Sequence, residues 1–184
     1  MKDFKTLVES IEETNKKFNS STKAEKRMMI AQDCIDRINL CQIKPITSRF
    51  FCQTDDIIDN SKLYSDSLKS ILNNTKEVQT CSVCAKGGLF ISYVGRVNKF
   101  EIGKLADNSE NSSEPLKKLS KIFTLLQLSL IETTYEGSEF NWNKNLTRKQ
   151  KDVSYSFYRK YDEPKERLVA ICQNIIDNKG TFKP

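Results

Sequence analysis

Cys81 and Cys84 are spaced as in half a zinc knuckle, within Cys81-Ser82-Val83-Cys84-Ala85-Lys86-Gly87-Gly88-Leu89-Phe90. Thiolates hold zinc when four ligands converge at about 2.3 Å. The chain has no histidine and no second Cys-x-x-Cys. The remaining ligands would have to come from Cys34, Cys41, Cys52, Cys172 or a carboxylate, and one conceivable set is Cys41, Cys52, Cys81 and Cys84. The same spacing suits a redox or nucleophilic thiol, and a cysteine at a helix N-terminus has a lowered pKa. Such a nucleophile needs a base, and the usual imidazole is missing. The favoured reading is packing. Cysteine is among the most buried residue types and behaves as a small hydrophobe. On a helix over 80–94, Cys81, Cys84, Gly88 and Ser92 share one side, where small residues let a neighbouring helix come close. No cofactor is expected.

A second group is basic and aromatic. Arg148, Lys149, Lys151, Arg159 and Lys160 lie among Tyr155, Phe157, Tyr158 and Tyr161. Lys117, Lys118 and Lys121 edge a leucine-striped segment, and Arg96, Lys99 and Lys104 follow the cysteine pair. Cations interleaved with rings can hold single-stranded RNA through phosphate contacts and stacking. Asp152, Asp162, Glu163 and Glu166 dilute the patch, as on an ordinary solvated helix face.

The elements that must position these residues read as helices. Phe4, Leu7, Val8 and Ile11 recur at helical spacing. Thr22 and Glu25 form a capping box, in which hydroxyl and carboxylate each serve an orphan N–H of the other's backbone. Met28, Ala31, Ile35 and Ile38 form the inner face of the helix it opens, and Pro45 ends the segment. A helix with Leu63, Leu68, Ile71 and Leu72 precedes the cysteine pair. Leu116, Leu119, Phe123, Leu126 and Leu130 predict one continuous helix from an N-cap at Ser113 to Gly137. Thr147 and Gln150 form a second capping box, ahead of Val153, Phe157 and Tyr161. Asp162 caps a last helix lined by Leu168, Ile171, Cys172 and Ile175, with Gly180 at its C-cap. The expected fold is mainly α: a single-domain bundle of about six helices over 1–184. It has at most a short extended segment near 46–53 and a flexible loop near 106–113.

The totals fit that reading. The 184 residues suffice for one core without disulfides or metal. A net charge of +6 permits a nucleic-acid or acidic partner without requiring one. No run reaches the roughly 18 apolar residues of a membrane span. Met1-Lys2-Asp3-Phe4-Lys5 does not open a secretory signal. The six cysteines therefore read as reduced thiols of a cytoplasmic protein rather than a disulfide framework.

Two segments carry a resemblance. Cys81–Phe90 and the tail Arg167-Leu168-Val169-Ala170-Ile171-Cys172-Gln173-Asn174-Ile175-Ile176-Asp177-Asn178-Lys179-Gly180-Thr181-Phe182-Lys183-Pro184 resemble a family of small uncharacterised phage and prophage proteins. The likeness runs in order through most of 24–184, with Gly88 where the family pattern has Ala and no Gly-Tyr pair at 47–51. No activity attaches to that family, so no catalytic residue is carried over. What the resemblance implies is a non-enzymatic interaction protein that modulates host machinery. Anti-CRISPR proteins that inhibit RNA-targeting type VI CRISPR nucleases are similar in size, charge and lineage. The partner expected by that analogy is a host protein or ribonucleoprotein, specifically such a nuclease with its guide RNA, and no membrane. The alternatives are an RNA-binding phage regulatory protein and a zinc- or thiol-dependent enzyme using Cys81 and Cys84.

Overall fold

A computed structural model describes residues 13, 16–47, 51–53, 81–97, 113–137 and 146–184. The expected helices around Phe4 to Ile11 and Leu63 to Leu72, and the loop at 106–112, lie outside the described residues. The described chain is mainly helical, as the periodicity predicts.

Helix α1 (Lys23–Asn39) opens on the predicted box: the Thr22 hydroxyl accepts from the Glu25 N–H at 3.3 Å, and the Thr22 N–H donates to the Glu25 carboxylate at 2.7 Å. The backbone bond from Thr22, first among its causes, holds the Glu25 carboxyl below its ordinary pKa. Ile30, Ala31, Cys34 and Ile38 are its buried residues; Ile35 only packs at the edge, and Met28 lies outside the core. The helix ends before Pro45 is reached. Cys41 takes a left-handed φ of 57°, while the Cys41 and Gln42 N–H groups return to the Ile38 and Arg37 carbonyls. That is a Schellman closure with a non-glycine at the left-handed position.

Three short strands follow, β1 (Ile43–Pro45), β2 (Phe51–Gln53) and β3 (Cys81–Val83). They form one sheet in the order β1-β3-β2, with β1 parallel and β2 antiparallel to β3. Pro45 is tolerated because it ends an outer strand. Helix α2 (Ala85–Val97) starts after β3, so the cysteine segment is strand, turn and helix rather than a helix from 80. Two consecutive glycines at 87 and 88 weaken helix nucleation there, and sheet pairing takes the residues before Cys84.

The leucine-striped segment also divides. Helix α3 (Ser113–Ser120) and helix α4 (Leu125–Glu136) are separated by a tight turn, in which the Ile122 and Phe123 N–H groups both reach the Leu119 carbonyl. The Thr124 hydroxyl accepts from the Gln127 N–H at 3.2 Å and begins a new helix. Leu119, Ile122 and Phe123 stay buried, but Leu126 swings out to 44% exposure beside Leu125 at 69%. Arg27 on α1 clamps this break by donating to the Ile122 carbonyl at 2.9 Å and to the Gly180 carbonyl. Gly137 ends α4 as predicted, at a φ of 63°.

Helix α5 (Arg148–Tyr158) carries the second capping box intact, with Thr147 and Gln150 bonded both ways. Of its predicted inner residues Phe157 is buried, whereas Val153 faces outward and Ser154 takes the core position. Helix α6 (Pro164–Asp177) buries Leu168, Ile171, Cys172 and Ile175 as predicted. Its N-cap is Glu163, without a side-chain bond, and not Asp162. Its C-terminus is again a Schellman closure, with Lys179 at φ 52° and the Gly180 N–H on the Ile175 carbonyl at 2.7 Å. The tail then folds back. Asn174 grips the Lys183 backbone from both sides at 2.7 and 2.8 Å, and Phe182 is buried with its ring edge-on to Phe157.

The core lies where α1, α2 and α6 meet. A Cβ at Gly88 would stand 3.2 Å from the Cys34 sulfur and 3.3 Å from Leu168, so the missing side chain sets how closely the three helices approach. Tyr135 ties α4 to the sheet region by donating to the Ile46 carbonyl at 3.0 Å.

Candidate functional site

Cys84 is the residue before α2, and its carbonyl accepts the Gly88 N–H at 2.9 Å. Its sulfur receives backbone N–H bonds from Gly87 and Lys86, which favour a thiolate. Burial outweighs them. The residue is 8% exposed and its thiol is pushed up to about 11, so it stays protonated at neutral pH. Lys86, the nearest ammonium in sequence, is engaged by Glu132 across the α2–α4 contact. Cys34 and Cys172 are also fully buried and share a hydrogen bond, which with burial drives the Cys172 pKa well up. These three are packed thiols, as residue type suggests. Of the conceivable zinc set, Cys41 is exposed beyond α1 while Cys84 is buried, and the side chains of Cys52 and Cys81 lie outside the described residues. Among the described residues no three His, Cys, Asp or Glu side chains converge as a metal site would require.

The basic residues sort by their place on the helices. Lys117 and Lys118 occupy the last turn of α3, where the helix dipole favours cations by about 0.3–1 kcal/mol each. Their presence has a structural reason. Lys121 is exposed in the turn after α3. Arg148 and Lys149 are the first two residues of α5, whose first turn holds no acid. Cations there oppose the dipole, at a cost of about 0.3–1 kcal/mol each. Arg148, Lys149, Arg159 and Lys160 are exposed and Lys151 is half-buried. Among the described residues none of these five is in an ion pair, and neither is Asp152. Arg96 lies within α2 with its side chain outside the described set, and Lys99 and Lys104 lie outside it entirely.

The aromatics predicted to interleave with these cations divide into two groups. Phe157 and Tyr161 pack together in or against the core, with centroids 5.3 Å apart. Tyr155 and Tyr158 do not. Their rings are parallel within 11° with centroids 6.1 Å apart, and the Arg159 guanidinium lies over Tyr155 at 4.2 Å. Tyr158 in turn covers the Arg167 guanidinium at 3.9 Å. A chain of contacts therefore runs from exposed Arg159 through Tyr155 and Tyr158 to Arg167, which is 2% exposed. Arg167 anchors it by donating to the Tyr135 carbonyl at 2.7 Å, the Tyr161 carbonyl at 2.8 and 3.1 Å, and the Asp162 carbonyl at 3.0 Å. Gly137 admits the Tyr158 ring, since a Cβ there would be 2.3 Å from it.

Arg167 is the residue that sequence reasoning passed over as a site component. The signal was its spacing: it stands four and eight residues before Ile171 and Ile175, on the face that α6 buries. The segments at 81–90 and 167–184 have packing roles here. Gly88, Arg167, Asn174 and Phe182 each close a specific contact in the core or the tail.

No protein-family description, curated protein or solved structure matches the chain. Among the described residues, no helix is long and apolar enough to cross a membrane.

Proposed function

We propose that this chain is a non-catalytic binding protein, encoded by a phage or prophage, that engages host machinery through the basic face of α5. The observation that carries this reading is five cations without an ion pair among the described residues, two of them at the helix end that disfavours them. The helix gains nothing from Arg148 and Lys149 at its N-terminal end, whereas an anionic partner would neutralise them and be drawn to them at long range. The specific partner in this proposal is a ribonucleoprotein, an RNA-targeting type VI CRISPR nuclease with its guide RNA. That choice rests on an analogy in size, charge and lineage with anti-CRISPR proteins. A Cys84 thiol held protonated, with its neighbouring ammonium engaged, weighs against the thiol-dependent enzyme.

The test is Arg148→Glu combined with Lys149→Glu. Acidic residues in the first turn suit the helix dipole, so the fold survives and gains slightly. Binding to the guide-loaded nuclease, measured by surface plasmon resonance, is expected to disappear. Unchanged affinity ends the assignment of α5.

A further inference from the structure

Resting on that reading of α5, we infer that its ligand is a single strand of nucleic acid, with one base stacked on the Arg159 guanidinium and the phosphates held by Lys160, Lys151, Arg148 and Lys149. A fold that needs only positive charge has no use for a planar, oriented cation. Arg159 is exposed, and one face of its guanidinium lies against Tyr155. Tyr155 is itself aligned by Tyr158, and Tyr158 by the buried, four-bonded Arg167. The outermost plane is therefore fixed by a series of contacts that reaches the core. Fixing it in advance removes rotamer entropy that binding would otherwise have to overcome. Guanidinium planes and aromatic rings are the surfaces on which unpaired bases stack, because every base has a π face. A duplex hides those faces, and an acidic protein has none.

The spacing of the charges agrees. Arg148 and Lys149 precede the stacked Tyr155–Arg159 pair, with about 16 Å between Arg148 and Arg159 at 1.5 Å per residue, and Lys160 follows it, so cations flank the pair at both ends. Asp152, Val153 and Ser156, all exposed, lie between them, and the Asp152 carboxylate leaves the middle of the face to sugar and base rather than to a further phosphate. Four phosphate contacts on a single strand give a plot of log affinity against log salt a slope of roughly −3.

The experiment uses the intact chain and fluorescein-labelled RNA and DNA strands of about twelve nucleotides, within the usual site size of such surfaces. An RNA duplex of the same sequence and polyglutamate serve as comparison ligands, and anisotropy is read across a salt series. Arg159→Lys keeps the charge and removes the plane. It is expected to weaken single-strand binding about tenfold while the salt slope stays as in the parent. Arg148→Glu with Lys149→Glu is expected to weaken binding and flatten the slope. Thermal unfolding of each variant confirms the fold. Preference for either single strand over the duplex and polyglutamate, together with the Arg159→Lys loss, supports the inference. Polyglutamate or duplex binding equal to that of single strands overturns it, as does an unaffected Arg159→Lys variant. If the double charge reversal still abolishes that binding, α5 stands as the contact surface and only the ligand class falls. If the reversal changes nothing with any probe, the underlying reading falls with it.

Discussion

Replacing Arg167 by Met should cost about 3 kcal/mol and should also loosen the α5 surface it underlies. The magnitude follows from what the guanidinium leaves behind. The Tyr135 carbonyl lies in the last turn of α4, where no helical N–H can reach it, and its bond from Arg167 is buried. An orphaned buried acceptor costs about 1–3 kcal/mol. The Tyr161 and Asp162 carbonyls are only partly buried, so water recovers much of their loss and about 0.5–1 kcal/mol each remains. The cation–π contact with Tyr158 adds about 1–2 kcal/mol. Against these, the variant no longer carries a desolvated charge, and Met fills most of the space of the arginine stem. The balance is about 3 kcal/mol, a large share of a domain's total stability. Arg167→Lys should cost about 2 kcal/mol, because an ammonium keeps the charge but cannot span three carbonyls and face a ring at once. Urea unfolding followed by far-ultraviolet circular dichroism reads both. A Met variant within about 0.5 kcal/mol of the parent, or a Lys variant indistinguishable from it, would refute the bonded-anchor reasoning.

Cys41 carries a left-handed φ, so Cys41→Gly should stabilise the chain by about 1 kcal/mol; a destabilised variant would instead point to a role for the thiol such as metal ligation. The raised Cys84 pKa gives a pH signature of definite sign. The protonated thiol contributes its full stability below the unfolded value of 9.0, and that contribution is lost as pH rises through the folded value of about 11. The parent should therefore weaken relative to Cys84→Ala across that interval by on the order of 2 kcal/mol, and equal pH dependence of the two in urea melts would contradict the burial. A thiol reagent should find all six cysteines in urea but leave Cys34, Cys84 and Cys172 unmodified in the native protein. Protein purified without chelator should contain no stoichiometric zinc; one equivalent, lost in Cys84→Ser, would revive the metal site.

Local signals served well where a short-range bond decides the outcome. Both capping boxes are formed as read, because each needs only four consecutive residues. The inner face of α6 was legible because four apolar residues repeat on one side. Reasoning failed where a tertiary partner overrides the pattern. The leucine stripe would run through 121–124 in isolation, but the Thr124 cap and the Arg27 bond to the Ile122 carbonyl stabilise a break. Cys81–Val83 pairs with residues nearly 40 and 30 positions earlier, and no local propensity reports such pairing. The cations of α5 were visible in sequence, yet their meaning depended on position. The place of Arg148 and Lys149 at the N-terminal end of a helix, the end that disfavours cations, separates them from Lys117 and Lys118. The Arg159–Tyr155–Tyr158 contacts were foreshadowed by residue type, but Arg167 was hidden because a cation in an apolar stripe reads as an interruption.

The most direct test of the binding face is a map of backbone amide shifts in isotope-labelled protein titrated with a single-stranded RNA. The account predicts that the moving resonances concentrate in 148–160, with the largest shifts beside Tyr155 and Arg159. Shifts gathered instead around Cys84 to Phe90, or an unchanged α5 under saturating RNA, would contradict it.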